Sequence, residues 1–254
     1  MQIITLTTDY GTTDYYVAEL KGSILKVQPA TLFVDISHRI ESYDIIQAAF
    51  FLSASYPKFP NGTIHIVSVY NYYTNPAEFI VFKRNDQYFI GPNNGVYSLI
   101  FEDLTEDEVF QVASNGESLT KIYSKAIEVI VNDRDLTRLG THINDLTRKM
   151  GIQPVITSNQ IRATIIHIDH YENVIVNLNK ELFEKVRNNR PFSIYYKQTD
   201  PIQSISKHYG DVEMGETLSL FNSAGYMEIA VNMGKASTMY NLNKDETIQI
   251  YFGE

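Results

Sequence analysis

Cysteine is missing from all 254 residues. Its absence excludes a disulfide framework, a thiolate zinc site and a cysteine nucleophile. Basic residues are scarce as well: 21 Lys and Arg stand against 30 Asp and Glu, a formal net charge of -9. Phosphate backbones and anionic membrane surfaces select the opposite balance, so neither nucleic acid nor a membrane is expected as a partner. The six His, at 38, 65, 142, 167, 170 and 208, are scattered, and no metal is expected. No window approaches the roughly 18 uninterrupted apolar residues of a membrane span. The opening Met1-Gln2-Ile3-Ile4-Thr5-Leu6 reads as a strand rather than a signal peptide, and no internal repeat or low-complexity tract is found. These absences predict a soluble, cytoplasmic protein, long enough for one large domain or two modest ones.

What is present falls into two patterns. In the first half, apolar β-rich runs at 3–7, 32–36 and 63–69 alternate with helical periodicity. Tyr16, Val17, Leu20, Ile24 and Leu25 share a face and Pro29 stops that helix; a second is predicted over 43–55, before Pro57 and Pro60. Three β/α units in succession predict a Rossmann-like α/β domain with a mainly parallel, doubly wound sheet over residues 1–152. From Ile161 onward, short alternating runs at 163–168, 174–178, 192–196, 217–221, 226–231 and 247–251 are interrupted by one helical stretch at 180–187. They predict an all-β barrel over 160–254, and Gly, Pro, Ser and Asn collect at the break, 151–159.

Ligands of doubly wound sheets bind beyond the carboxyl ends of the strands, which directs attention to the residues after Thr8, Ile36 and Val69. Asp9, in Thr8-Asp9-Tyr10-Gly11, is either part of a plain Asp-x-Gly turn or a carboxylate placed to accept hydrogen bonds from a ribose diol. His38 in Asp35-Ile36-Ser37-His38 is a capping or loop residue, or an acid or base. Gly91-Pro92-Asn93-Asn94-Gly95 has the composition of a turn. In the second half, Asp169-His170-Tyr171-Glu172-Asn173 is a polar hairpin turn or a site: Asn173 carries the donor and acceptor needed for an adenine edge, and Asp169 suits an ammonium. Asn222-Ser223-Ala224-Gly225-Tyr226 is a turn into a strand. The 18 Tyr and 13 Phe are mostly core, with some available to wall a base or a sulfonium.

In their order and spacing, T-D-Y-G, V-D-I-S-H, F-P-N-G-T-I-H-I, G-P-N-N-G, D-x-x-x-N and N-S-A-G-Y-M-E-I-A-V-N resemble the S-adenosylmethionine hydroxide adenosyltransferase family over nearly the whole chain. That family, formerly a domain of unknown function, includes the S-adenosylmethionine fluorinase and chlorinase. The resemblance implies an α/β domain followed by a β-barrel and a homotrimer, with S-adenosylmethionine between the N-terminal domain of one subunit and the C-terminal domain of its neighbour. It implies that Asp9 holds the ribose hydroxyls and that Tyr43 is an aromatic wall beside the ribose. Asp169 would meet the methionine ammonium, Tyr171 and Asn173 the adenine side, and Ser223 the methionine carboxylate. No cofactor or metal is implied.

The hydrolases of the family read V-D-P-G-V-G-T-x-R-R before the G-P-x-N-G loop. Counting back from Gly91 sets their water-positioning aspartate on Tyr70 and their arginine on Ala77, while the histidine of an F-H-G-R-D segment falls on Asn132. Tyr70 resembles the halogenase tyrosine at this place, but the segment that follows does not match, and the halide-pocket position falls on Asp133. A carboxylate beside a desolvated halide is repulsive, which argues against halogenation unless Asp133 points away. Tyr70, Asn132 and Asp133 are then the candidates for a substitute water site, with Asp133 either its base or a partner of Arg134 or Arg138. The readings left open are displacement at the ribose C5' by water to give adenosine and methionine, ligand binding without turnover, a trimer with a vestigial cleft and, last, halogenation.

Overall fold

The computed structural model describes residues 1–101, 103–104, 108–114, 116–197 and 199–253. The chain divides into two compact units, Met1–Gly151 and Ile152–Glu254.

In the first unit, strands β1 (Gln2–Thr8), β2 (Thr31–Ser37), β3 (Ile64–Ser68), β4 (Phe79–Arg84), β5 (Gln87–Pro92), β6 (Phe110–Val112) and β7 (Gly140–His142) form one sheet ordered β2-β1-β3-β5-β4-β6-β7. β1 pairs in parallel with β2 and β3, and β3 with β5; β4 pairs antiparallel with β5 and β6, and β6 with β7. Only β4 and β7 therefore run against the rest, and the sheet is mainly parallel. Helices α1 (Tyr16–Val27) and α3 (Leu119–Asn132) pack Leu20, Ile24, Ile127 and Ile130 on one face against Ile4, Leu6, Ile64 and Ile66. α2 (Ile45–Ser55) brings Ala48 and Leu52 to the other face, against Val67, Phe82 and Phe89. A strand covered on both sides is apolar at successive positions, as β3 is apart from His65 and the terminal Ser68. His65 is buried between Thr5 Oγ1, 2.7 Å from Nδ1, and Gln87 Oε1, 3.2 Å from Nε2, and stacks on Phe89. Burial pushes its pKa down to about 4, against the opposing pull of the Gln87 contact.

α2 starts later than the periodicity predicts. Asp44 is its N-cap, accepting a hydrogen bond from Gln47 N at 2.9 Å, and Tyr43 lies outside the helix at φ 70. That departure frees the Tyr43 side chain for the edge of the sheet.

The second unit holds β8 (Val155–Ile156), β9 (Gln160–Ile168), β10 (Val174–Asn179), α4 (Lys180–Arg187), β11 (Phe192–Tyr195), β12 (Thr217–Phe221), β13 (Tyr226–Val231), α5 (Ala236–Tyr240) and β14 (Thr247–Phe252). The sheet order is β11-β14-β9-β10-β13-β12, with β8 on β9, and every pairing is antiparallel. The expected barrel is not closed: β11 and β12, at the two ends, do not pair with each other. An irregular segment lies along both. Ile202 exchanges hydrogen bonds with Ile194 of β11, and Ser206 N donates to Ser219 O of β12. The unit is a curled open sheet whose inner face, including Ile161, Ile165, Val176, Ile229 and Ile250, forms its core together with Phe183 of α4.

Candidate functional site

At the carboxyl edge of the first sheet, β1 runs straight into Asp9. Asp9 Oδ2 accepts hydrogen bonds from the backbone of Tyr43, at 3.1 Å, and of Tyr70, at 3.3 Å. Both tyrosines sit in the left-handed region, at φ 70 and 51, where a side chain with a Cβ is strained. Their rings meet edge to face at 5.3 Å, and Tyr73 stands against Tyr70 at 5.4 Å. Asp9, Tyr43, Tyr70, Asn71 and Tyr72 line an open cleft of about 510 Å³. The carboxylate has accepting capacity beyond these two bonds, and Oδ1 takes no hydrogen bond among the described residues.

Beneath the cleft lies a hydroxyl network that no motif or spacing in the chain announces. Tyr10 Oη and Ser68 Oγ are 2.7 Å apart, and Asn71 Oδ1 accepts from Ser68 Oγ at 3.1 Å and from Tyr123 Oη at 3.2 Å. Burial raises the pKa of both Tyr10 and Tyr123, so the network stays protonated. Asn94 of the G-P-N-N-G loop is fully buried, and its amide donates to the carbonyls of Val69, at 2.9 Å, and Tyr70, at 3.3 Å. Gly91 packs so closely that a Cβ there would lie 2.6 Å from Val67 O. The loop is thus a brace for the Tyr70 backbone as well as a turn. His38 is buried, with Nδ1 2.8 Å from Thr8 Oγ1 and Nε2 3.1 Å from Asp35 Oδ1, and its carbonyl accepts from Gly11 N. It fastens the ends of β1 and β2 together and does not line the cleft.

Asn132 and Asp133 are not brought to this edge. Tyr123, toward the start of α3, reaches Val67 O and Ser68 at the carboxyl end of β3. Ile130, Val131 and Arg134, at its other end, line a depression with Met1, Gln2 and Gly62, at the amino edge of β1. From Tyr123 to Asn132 the helix advances about 14 Å away from the cleft. Asn132 and Asp133 are exposed, and Asp133 is ion-paired with Arg138. The fold thus separates them from Tyr70, and with them go both the substitute base and the argument that Asp133 repels a halide. The loop on the cleft side of α3 is the one before Leu119, where Gly116 takes φ 72.

In the second unit, Asp169 closes the turn between β9 and β10. Oδ1 accepts from Tyr171 N at 2.8 Å and Asn173 N at 2.9 Å, and Oδ2 from the Asn173 amide at 3.1 Å. The hairpin reading of this motif is therefore present, and Asn173, buried, keeps its Oδ1 and one amide proton without a partner among the described residues. A pocket of about 900 Å³ is lined by Tyr171, Asn173, Tyr209 and, from beyond β13, Asn232, Met233 and Lys235. Of that segment, Asn232 closes the N-S-A-G-Y-M-E-I-A-V-N motif, while Met233 and Lys235 belong to no motif of the sequence. Glu228 is buried in β13, accepting from Tyr209 Oη at 2.7 Å and from Asn222 Nδ2 at 3.2 Å. Burial, together with the Asp169 charge, raises its pKa despite those two hydrogen bonds. Its signal was visible: one carboxylate in an otherwise apolar Met227-Glu228-Ile229-Ala230-Val231 run. Ser223 is exposed on the turn that Asn222 closes and is not among the residues lining the pocket. Among the described residues no group of three or more His, Asp or Glu gathers as a metal site, and no helix is long and apolar enough to cross a membrane.

Two family models match the chain. The S-adenosylmethionine hydroxide adenosyltransferase N-terminal domain covers residues 4–137, and the C-terminal domain of the same name covers 163–249. The (R)-S-adenosyl-L-methionine hydrolase of Methanocaldococcus jannaschii is 25% identical over 99% of this chain and 97% of its own. The fluorinase of Nocardia brasiliensis is 23% identical over 99% of this chain and 97% of its own. Among solved structures, an uncharacterized conserved protein from Thermotoga maritima superposes with a TM-score of 0.82 at 25% identity, covering 98% of this chain and 100% of its own.

Proposed function

The chain belongs to the S-adenosylmethionine hydroxide adenosyltransferase family, and we propose that it binds S-adenosylmethionine and hydrolyses it at the ribose C5' to adenosine and methionine. The observation that carries this reading is Asp9: a carboxylate at the carboxyl edge of the central parallel strand, aimed by two backbone N–H groups, with Oδ1 left to accept from the ribose hydroxyls. In this reading Tyr43 walls the ribose, Asn173 reads the adenine edge with Tyr171 beside it, Asp169 meets the ammonium and Ser223 the carboxylate.

The reaction consumes one water. Its oxygen bonds to C5' as the C5'–sulfur bond breaks, the sulfur leaves with the bonding pair as the neutral thioether of methionine, and one proton of the water passes to solvent. No acid is needed to expel a neutral thioether, so the protein contributes alignment and exclusion of competing water. Tyr70 and Asn71, at the cleft wall and floor, are the groups on hand to orient the nucleophile. Asp9 is the only carboxylate lining the cleft among the described residues, and it is engaged as an anchor. That favours slow turnover and gives weight to a second reading, ligand binding without turnover.

The homotrimer implied by the family resemblance is part of the proposal, and sedimentation at micromolar concentration tests it. The activity is tested by incubation with S-adenosylmethionine in isotope-labelled water. Label in adenosine supports hydrolysis at C5'; bound but intact ligand supports the second reading; no binding removes both.

A further inference from the structure

Glu172 occupies a backbone conformation that suits it poorly. At φ 63 it lies in the left-handed region, where glycine is at ease and a glutamate is strained. The turn does not need its side chain, because Asp169 supplies the closing hydrogen bonds. Instead the carboxylate leaves the turn for the segment after β13. Oε1 accepts from Lys235 Nζ at 2.7 Å, Oε2 accepts from Thr238 N at 3.3 Å and from the Thr238 hydroxyl, and the Glu172 carbonyl accepts from Ser237 N at 3.0 Å. Lys235 and the Thr238 hydroxyl hold its carboxyl below the usual range.

The consequence is electrical. Lys235 is the only Lys or Arg among the described residues lining the pocket of Asn173 and Tyr209, and Glu172 is its ion-pair partner. Asp169 and the buried Glu228 stand near enough for their charges to act on each other, and no Lys or Arg pairs with either among the described residues. We propose that Glu172 sets the charge selectivity of this pocket: by pairing with the Lys235 ammonium it leaves the local field to Asp169 and Glu228, so a cationic adenosyl sulfonium is taken in preference to a neutral nucleoside. This rests on the reading of the pocket as an adenosyl site. Glu172 is a positioning residue, acting through Lys235.

Calorimetric titration of the intact chain with S-adenosylmethionine and with adenosine tests it. Glu172→Gln leaves Lys235 unpaired, and at low salt S-adenosylmethionine should bind about 5- to 10-fold more weakly while adenosine stays within about twofold. In molar salt the difference should close. The double variant Glu172→Gln, Lys235→Gln, which removes the exposed ammonium too, should restore the preference. Glu172→Gly relieves the left-handed strain and should lose selectivity in the same way, which separates charge from misfolding. Equal losses for the two ligands, or none, would overturn the inference and leave the adenosyl reading standing. A wild-type chain that binds neither ligand overturns both.

Discussion

Asp9 is bound to Tyr43 across 34 residues of chain and to Tyr70 across 61, so the cleft of the first unit exists only once three parallel strand ends lie side by side. In the second unit, Asp169 is bound to Tyr171 and Asn173 across two and four residues, within one turn. The first arrangement depends on the sheet, and its polar groups are held by buried braces: Asn94 under Tyr70, Tyr123 under Asn71. The second is largely local, and its longer-range partner is the Glu172 link to Lys235 and Thr238. A fault in the frame should therefore cost the first site more than the second.

The sharpest break is at Gly91. A methyl group there meets the Val67 carbonyl, a backbone atom that cannot step aside, so Gly91→Ala should destabilise the protein by about 2 to 4 kcal/mol. Gly210, in the second unit, has open space around the same position, and Gly210→Ala should stay within about 0.5 kcal/mol. Chemical denaturation of the two variants measures the contrast, and equal effects would contradict it.

Acid should attack the first unit through His65. Its folded pKa, about 4, lies below the ordinary value of 6.5, so the unfolded chain binds the proton first. The stability from keeping it neutral is complete above pH 6.5 and is lost as pH falls from there toward 4. The full shift corresponds to about 3 kcal/mol. Denaturation at pH 7.5 and 4.5 should show a loss of this order, largely absent from His65→Gln; an unchanged pH dependence in that variant would remove His65 as the cause.

Ligand affinity gives the next comparison. Asp9→Ala should weaken S-adenosylmethionine and adenosine alike by about 1 to 3 kcal/mol, through the lost charge-assisted bonds to the ribose. Asn173→Ala should act mainly on the preference for adenine over other bases. Calorimetry with adenosine and inosine separates the two, and identical profiles would merge their roles. The smallest effect is expected at Asp133. It is exposed, paired with Arg138 and remote from the cleft, so Asp133→Asn should leave product formation unchanged and stability within about 0.5 kcal/mol.

The division of the fold into a parallel α/β unit and an antiparallel unit was legible because the two sheets impose different hydrophobic periods on the chain. The open end of the second sheet was not, since the segment that lies along β11 and β12 makes a few isolated hydrogen bonds and carries no period. Asp9 could be read from its place after a buried strand, and Asp169 with Asn173 from a polar turn between two strands. Asn132 and Asp133 lie at the far end of α3 for a different reason: a motif match does not say which end of a helix faces the site. Asn71 and Asn94 act through burial and long-range partners, which leave no signature in local spacing, whereas Glu228 stands out as the one carboxylate of an apolar run.

The braces around the cleft have one further effect. The segment from Tyr70 to Glu78 is fixed at its near end, where Asn94 holds the Val69 and Tyr70 carbonyls, and at its far end, where Asn93 N donates to Glu78 O at 2.9 Å and the Asn93 amide to Glu78 Oε2 at 3.2 Å. Neither anchor uses the side chains of Tyr70, Tyr72 or Tyr73. Substituting a side chain that faces the cleft therefore loosens neither anchor, so that the path of the loop and the chemistry it presents are separable.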